Sequence, residues 1–169
     1  MAAMPQEATG KSGRPQPERL KPERPRDELG RPQPWDAENR LHLPDFDGNT
    51  LEENHRLGME LLGAGNYFGA HEAWETAWKQ ARDTDEAEFF KGLSQLGAGW
   101  THLLRGNAHG AVTLLRRGSG RVARYPDGHR GIATTGLADR AEHDAAAVES
   151  GELEPGEDAA VTPPDPSST

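Results

Sequence analysis

The segment 71–78 holds the densest group of chemically versatile side chains in the chain. Its sequence, HEAWETAW, contains one imidazole, two carboxylates and two indoles. His71 and Glu75 are four positions apart, so on a helix they lie on one face, one turn from each other. A histidine beside a carboxylate has a fixed tautomer and raised basicity, which suits a general base or a metal ligand. This segment is the first candidate for a functional site.

The expected partners of His71 and Glu75 lie on the next helix. Residues 89–104, FFKGLSQLGAGWTHLL, are apolar nearly all round, which is typical of a central helix. Gln95 and His102 are then buried polar groups, and buried polar groups need partners. We expect a polar pocket between the second and third helices, with Glu72 turned furthest toward solvent. Its predicted members are His71, Glu72, Trp74, Glu75, Trp78, Gln95 and His102.

Several interpretations of these residues stay open. The first is a pocket for a small ligand or a protein partner. The purely structural alternative is a hydrogen-bond network that only fixes the register of two helices. The second is a metal-assisted hydrolase, with His71, Glu75 and His102 as ligands for zinc or iron and with His71 and Glu75 as the catalytic candidates. The zincin motif is absent, because the position four after His71 holds Glu75 and not a second histidine. No organic cofactor motif is present, so a divalent metal is the one cofactor considered.

A basic helix face suggests a third interpretation, an RNA-associated module. Four arginines fall close together in the predicted fourth helix: Arg116, Arg117, Arg121 and Arg124. No aromatic residue alternates with them, as single-strand binding would favour. The net charge of −9 also disfavours general nucleic-acid binding. A protein or small-molecule partner is therefore preferred to nucleic acid.

The elements that carry these residues all have helical patterns. Apolar residues recur with helical spacing, turn residues separate the segments, and no strand pattern is present. We therefore predict an all-α fold, a compact bundle of four to five antiparallel helices. The predicted helices run over about 51–62, 67–82, 85–105, 108–125 and 137–148. Gly118-Ser119-Gly120 is expected to weaken the fourth, since glycine inside a helix costs about 1 kcal/mol against alanine.

Composition divides the chain into three parts. Eight of the thirteen prolines lie in residues 1–44, and residues 150–169 are acidic and proline-rich. Such segments bury too little apolar surface to offset the entropy of ordering. We predict a disordered arm over 1–48, a helical domain over 49–149 and a disordered acidic tail over 150–169. With no cysteine, no apolar leader and no membrane-length apolar run, we expect a soluble cytoplasmic protein that does not use a membrane.

Two sequence blocks resemble a known family. The first is residues 66–78, NYFGAHEAWETAW, and the second comprises 92–96, GLSQL, followed by His102 and 105–107, RGN. Together they are similar to the bacterial and chloroplast family known as domain of unknown function 309. The resemblance implies a small fold of packed antiparallel helices and implies no reaction. Its characteristic polar positions fall on His71, Glu72, Glu75, Gln95 and His102.

Overall fold

The computed structural model describes residues 23–168, and five α-helices dominate this part of the chain. A single 3₁₀ turn, His129–Gly131, separates the last two helices, and the described residues contain two isolated β-bridges but no strand. The prediction of a compact all-α bundle is confirmed. The helices are α1 (Leu51–Gly63), α2 (Tyr67–Gln80), α3 (Ala87–Leu104), α4 (Ala108–Val122) and α5 (Thr134–Ser150).

Two helices begin with the same local device, a glycine followed by asparagine. Gly65 and Gly106 have φ of 80° and 81°, in the left-handed region that glycine adopts without strain. Asn66 and Asn107 then cap α2 and α4, because each side-chain oxygen accepts a hydrogen bond from a backbone N–H three residues ahead. These turns set where α2 begins, and so set the register of the polar segment that starts at His71.

The central position of α3 is confirmed by its packing. α3 packs on α2 and on α4, while α1 packs on α2 and α5 packs on α4. Six large side chains of α3 are fully buried and form the middle of the core: Phe89, Phe90, Leu93, Leu96, Trp100 and Leu103. A helix with this much buried surface cannot shift without disrupting the core, so it is a rigid support for α2.

The ends of α4 and α5 differ from the predicted ones. α4 stops at Val122 and not near 125, whereas α5 extends from Thr134 to Ser150, beyond the predicted 137–148 at both ends. The segment 118–120 stays helical. Gly118 there lies against the backbone of Gly92 on α3, so its missing side chain permits close helix packing.

Two segments without helices lie on the bundle. In 23–48, the side chain of Phe46 is buried and the backbone oxygen of Leu29 accepts from the Arg105 guanidinium at 2.6 Å. In 151–168, Glu157 forms an ion pair with Arg31. The boundaries predicted at 48/49 and 149/150 stay predictions, and residues 1–22 and 169 lie outside the described part. No helix between residues 23 and 168 is long and apolar enough to cross a bilayer.

Candidate functional site

Three ligand-type side chains converge on the outer face of α2. The Nε2 atom of His71 lies 3.6 Å from a carboxylate oxygen of Glu75 and 3.9 Å from one of Glu72. One ligand atom from each residue can be chosen so that all three lie within 4.8 Å of one another. We call His71, Glu72 and Glu75 the α2 triad. All three are partly exposed, with 25%, 37% and 34% of their side chains accessible.

The triad is held against α3 by two small residues. A Cβ atom at Gly97 would lie 2.8 Å from the backbone nitrogen of His71, so only glycine lets the two helices approach this closely. One turn earlier on α3, Ser94 is buried, and its hydroxyl donates to the carbonyl oxygen of His71 at 3.2 Å. These contacts place the imidazole over the backbone of α3.

Contacts with Ser94 also determine which ring nitrogen of His71 carries hydrogen. The Nδ1 atom lies 3.0 Å from the Ser94 carbonyl oxygen, which can only accept. It also lies 2.9 Å from the Ser94 hydroxyl oxygen, which can accept from Nδ1 while the hydroxyl donates to the His71 carbonyl. All three contacts are satisfied together when Nδ1 carries the hydrogen and donates. In a neutral ring the lone pair is then on Nε2, the atom that faces the two carboxylates.

With a neutral imidazole, the triad brings three hydrogen-bond acceptors together: Nε2 of His71 and the carboxylates of Glu72 and Glu75. Two carboxylates within 4.8 Å of each other repel, and at their partial exposure solvent screens much of that repulsion. Lys79 lies 3.9 Å from the far side of Glu75 and offsets part of this repulsion. A cation between Nε2 and the carboxylates would remove it, as would a second proton on the imidazole.

The predicted pocket between α2 and α3 is not assembled as expected. Gln95 accepts a hydrogen bond from Arg121 of α4 at 3.0 Å and makes none with His71 or Glu75. The ring of His102 forms a hydrogen bond with Asn107 at 3.1 Å, and His102 is not a member of the α2 triad. Burial, followed by the charges of Arg105 and His71, lowers the pKa of His102. Both side chains lie toward α4 because α3 uses its glycines there to approach that helix.

Glu72 also differs from its expected position. It was predicted to point to solvent, away from Glu75, yet the two carboxylates are equally accessible and both reach Nε2 of His71. The long glutamate side chain bridges the angle that separates the two Cα positions on the helix. Glu72 therefore stands beside Glu75 as a second acidic member of the site.

The two tryptophans predicted in the pocket, Trp74 and Trp78, and Trp100 of α3 point in different directions. Trp74 is fully buried, and its Nε1–H donates to Nδ1 of His55 at 3.0 Å. Trp100 is also fully buried and donates to Asp144 of α5 at 2.9 Å. Trp78 is half-buried, with the Lys91 ammonium 5.4 Å from its ring centroid. Two of the three indoles thus belong to the core, and none of the contacts described above is with the triad.

A second polar cluster joins α1, α3 and the 3₁₀ turn. His55 accepts from Trp74, so its Nε2–H donates to the backbone oxygen of Arg130 at 2.8 Å. Burial lowers the pKa of His55. One Glu86 oxygen accepts from His129 at 2.9 Å and from Arg130 at 2.8 Å. These bonds outweigh burial and lower the pKa of Glu86. Each side chain of this cluster is hydrogen-bonded to another member, so we describe the cluster as a structural brace.

The basic face is divided by ion pairs. Arg116 pairs with Glu142 and Glu149 of α5, and Arg121 pairs with Glu88 at 2.9 Å. Arg117 and Arg124 are exposed and have no ion pair within the described chain. Two separated arginines next to neutralised neighbours do not form the continuous basic surface that phosphate-backbone binding requires. The structure adds no support to the RNA interpretation.

Ser94 is the residue of the candidate site that sequence reasoning missed. Its signal was a small hydroxyl residue in an otherwise apolar helix segment, and such a residue needs a local partner. Which histidine it would meet depended on the rotation of α3 against α2, and that rotation is set by Gly97.

Comparison with known proteins bears on the helices that hold this site. Residues 55–114 match the model of one family, described as Domain of unknown function (DUF309). No curated protein and no solved structure matches the chain. The matched residues include all of α2 and α3, hence the triad, Ser94 and Gly97. The resemblance predicted from the two sequence blocks is therefore confirmed over residues 55–114, which match this family's model.

Proposed function

We propose that this helical module binds a divalent metal ion at the α2 triad. The observation that carries the proposal is the orientation of His71. Its Nδ1–H is directed at the Ser94 carbonyl, so the lone pair of the neutral ring on Nε2 faces two carboxylates. Metal-binding histidines commonly donate their other ring N–H to a backbone carbonyl in this way.

The donor set indicates which metals fit. One imidazole nitrogen and two carboxylate oxygens suit zinc, iron or manganese, and the site has no soft sulfur ligand. Three protein ligands leave at least one coordination position open, and the exposure of all three side chains keeps that position accessible. The open position would accept a carboxylate or another oxygen donor from a small ligand or a partner. This links metal binding to the binding-module interpretation.

Hydrolysis at the same residues is less well supported. All three groups of the triad would be metal ligands, so none would remain to act as the general base for a bound water. His102 bonds to Asn107 and is not one of the three. Binding of a metal-bridged ligand is therefore preferred to catalysis.

Isothermal titration calorimetry of the full chain with Zn²⁺ and with Mn²⁺ tests the proposal. We expect one site per chain, and at least tenfold weaker binding in each of His71→Asn, Glu72→Gln and Glu75→Gln. His109→Asn is the matched control, because His109 is an exposed histidine on α4 outside the triad. Its metal affinity should equal that of the unmodified chain.

A second readout separates metal binding from a protonated histidine. Imidazole ¹⁵N NMR should show hydrogen on Nδ1 of His71 and a shift at Nε2 when metal is added. Ser94→Ala removes the hydroxyl but keeps the carbonyl, so it should weaken binding less than His71→Asn does. A ring that carries both hydrogens at pH 7.5 and does not respond to either metal would show that the triad is only an ion pair, and the proposal would fail.

A further inference from the structure

The C-terminal segment 153–168, the tail, lies on the helical bundle. Leu153, Ala159 and Val161 of the tail pack on the hydrophobic core. The surface that the tail covers therefore has an apolar floor, and we call this surface the groove.

Polar contacts hold the first half of the tail at defined points. The backbone N–H of Gly156 donates to the Leu103 carbonyl at the end of α3, at 2.9 Å. Glu157 pairs with Arg31, and the guanidinium of Arg140 donates to the Thr162 carbonyl. Two arginines therefore line the path of a segment that carries five acidic residues and no basic one between 150 and 169.

The second half of the tail is extended and is held by an isolated β-bridge. Ser167 forms an antiparallel bridge with Ile132, through Ala133 N–H to the Pro166 oxygen at 2.9 Å and Ser168 N–H to the Gly131 oxygen at 2.8 Å. Burial alternates along it, with Pro164 and Pro166 buried while residues 163, 165 and 167 are exposed. This is the period-two pattern of a strand with one face inward. Neither buried proline has an N–H that needs a partner.

Such contacts are those by which protein grooves recognise extended peptides. Strand addition supplies main-chain hydrogen bonds, and pockets for alternate side chains supply specificity. The tail forms no helix, and its proline and charge content gives it little capacity to fold by itself. It is ordered by the groove in the manner of a bound ligand.

We propose that this groove is a docking site for an extended acidic segment of a partner protein with a Pro-x-Pro pair, and that residues 153–168 occupy it as an intramolecular competitor. The acidic character follows from the ion pair of Glu157 with Arg31, and the proline pair follows from the buried sites of Pro164 and Pro166. A tethered segment has an effective concentration in the millimolar range, so the partner must bind well enough to displace it. The proposal does not rest on the metal site.

The test uses the full chain with its tail weakened at the two buried prolines. Pro164→Asp/Pro166→Asp places two carboxylates in apolar positions and should release the strand. A fluorescein-labelled peptide of residues 151–168 is the probe, and fluorescence anisotropy measures its binding. We expect at least tenfold tighter binding to the double variant than to the unmodified chain. A peptide carrying the same two substitutions should not bind, and Ala160→Asp, at an exposed tail position, should behave as the unmodified chain.

Hydrogen exchange shows whether the tail has moved. The amides of Gly156 and Ser168 should be protected in the unmodified chain and exchange faster in the double variant. Free exchange in the unmodified chain would overturn the proposal, as would a released tail whose groove does not bind the peptide. Concentration-dependent dimerisation with a protected tail would assign the groove to a second copy and also overturn it. If the double variant loses helical signal, Pro166→Ser provides the same comparison with a smaller perturbation.

Discussion

Alanine at Gly118 and alanine at Gly120 are expected to change stability in opposite directions. Both glycines lie in α4, two residues apart, and each replacement gains helix propensity of about 0.5–1 kcal/mol. A Cβ at Gly120 meets no atom within 4 Å. Gly120→Ala should therefore stabilise the protein by about 0.5–1 kcal/mol.

Gly118 has no such space. Its Cβ would lie 2.8 Å from the carbonyl oxygen of Gly92 and 2.8 Å from a methyl carbon of Leu96, where ordinary contact begins near 3.4 Å. The Gly92 oxygen belongs to the backbone of α3 and cannot rotate away, so α4 must move outward. Overpacking of this kind costs typically about 1–3 kcal/mol. Because the propensity gain is common to both variants, this steric cost is the expected difference in stability between them.

Thermal and urea denaturation of the two variants measure that difference. For a chain of this length, 1 kcal/mol corresponds to roughly 2–4 °C in Tm, so Gly118→Ala should melt about 2–12 °C below Gly120→Ala. Gly92→Ala approaches the same contact from α3, where its Cβ would meet Arg121 at 2.8 Å, and it should be destabilised likewise. If Gly118→Ala proved as stable as Gly120→Ala, the close approach of α3 and α4 would be refuted.

Three further predictions concern the core, the brace and the terminal segments. Trp74→Ala should cost about 3–5 kcal/mol in chemical denaturation, because the indole is fully buried and its loss leaves Nδ1 of His55 without its donor. Trp78→Ala should cost clearly less, since Trp78 is half-buried, and equal costs would contradict this assignment. The lowered pKa of Glu86 contributes stability that is present above its ordinary value of 4.5 and is lost as the pH falls through the folded-state value. Calorimetry between pH 7 and 3 should therefore show a flatter acid dependence for Glu86→Gln, and an unchanged profile would contradict the brace. A chain cut to residues 48–150 retains all five helices, so its circular dichroism spectrum should stay helical. Its Tm measures what the two terminal segments contribute to stability. Loss of the helical signal at 25 °C would refute the predicted domain boundaries.

The helical fold and the position of its turns could be predicted from local sequence. The Gly-Asn pairs before α2 and α4 form their turns through backbone freedom and side-chain capping within four residues, so no distant contact was needed. The apolar character of α3 likewise indicated a central helix before any neighbour was known. The pairing of His71 with Glu75 was predictable in the same way, because the two residues are one helical turn apart, whereas the position of Glu72 beside them was not.

Tertiary structure decided which polar groups meet across helices. The helical repeat places Gln95 and His102 on a face of α3, but the rotation of α3 against its neighbours determines what that face contacts. That rotation depends on the close approaches at Gly92, Gly97 and Gly99, and it turns Gln95 toward Arg121. The sequence pattern cannot specify this rotation, because a glycine on α3 permits another helix to approach closely but does not determine which helix approaches.

The C-terminal tail also shows which properties follow from sequence and which follow from packing. Its composition predicts a segment that cannot fold alone, and that inference rests only on the entropy of ordering a proline-rich acidic chain. The groove under the tail exists only after the helices have packed, and it supplies the apolar floor and the bridge at Ile132 that the tail uses. The sequence by itself therefore determined the helices, their turns and the placement of His71 and Glu75 on one face of α2. Packing decided the orientation of His71 by Ser94 and the surface on which the tail lies, because both depend on atoms far apart in the chain.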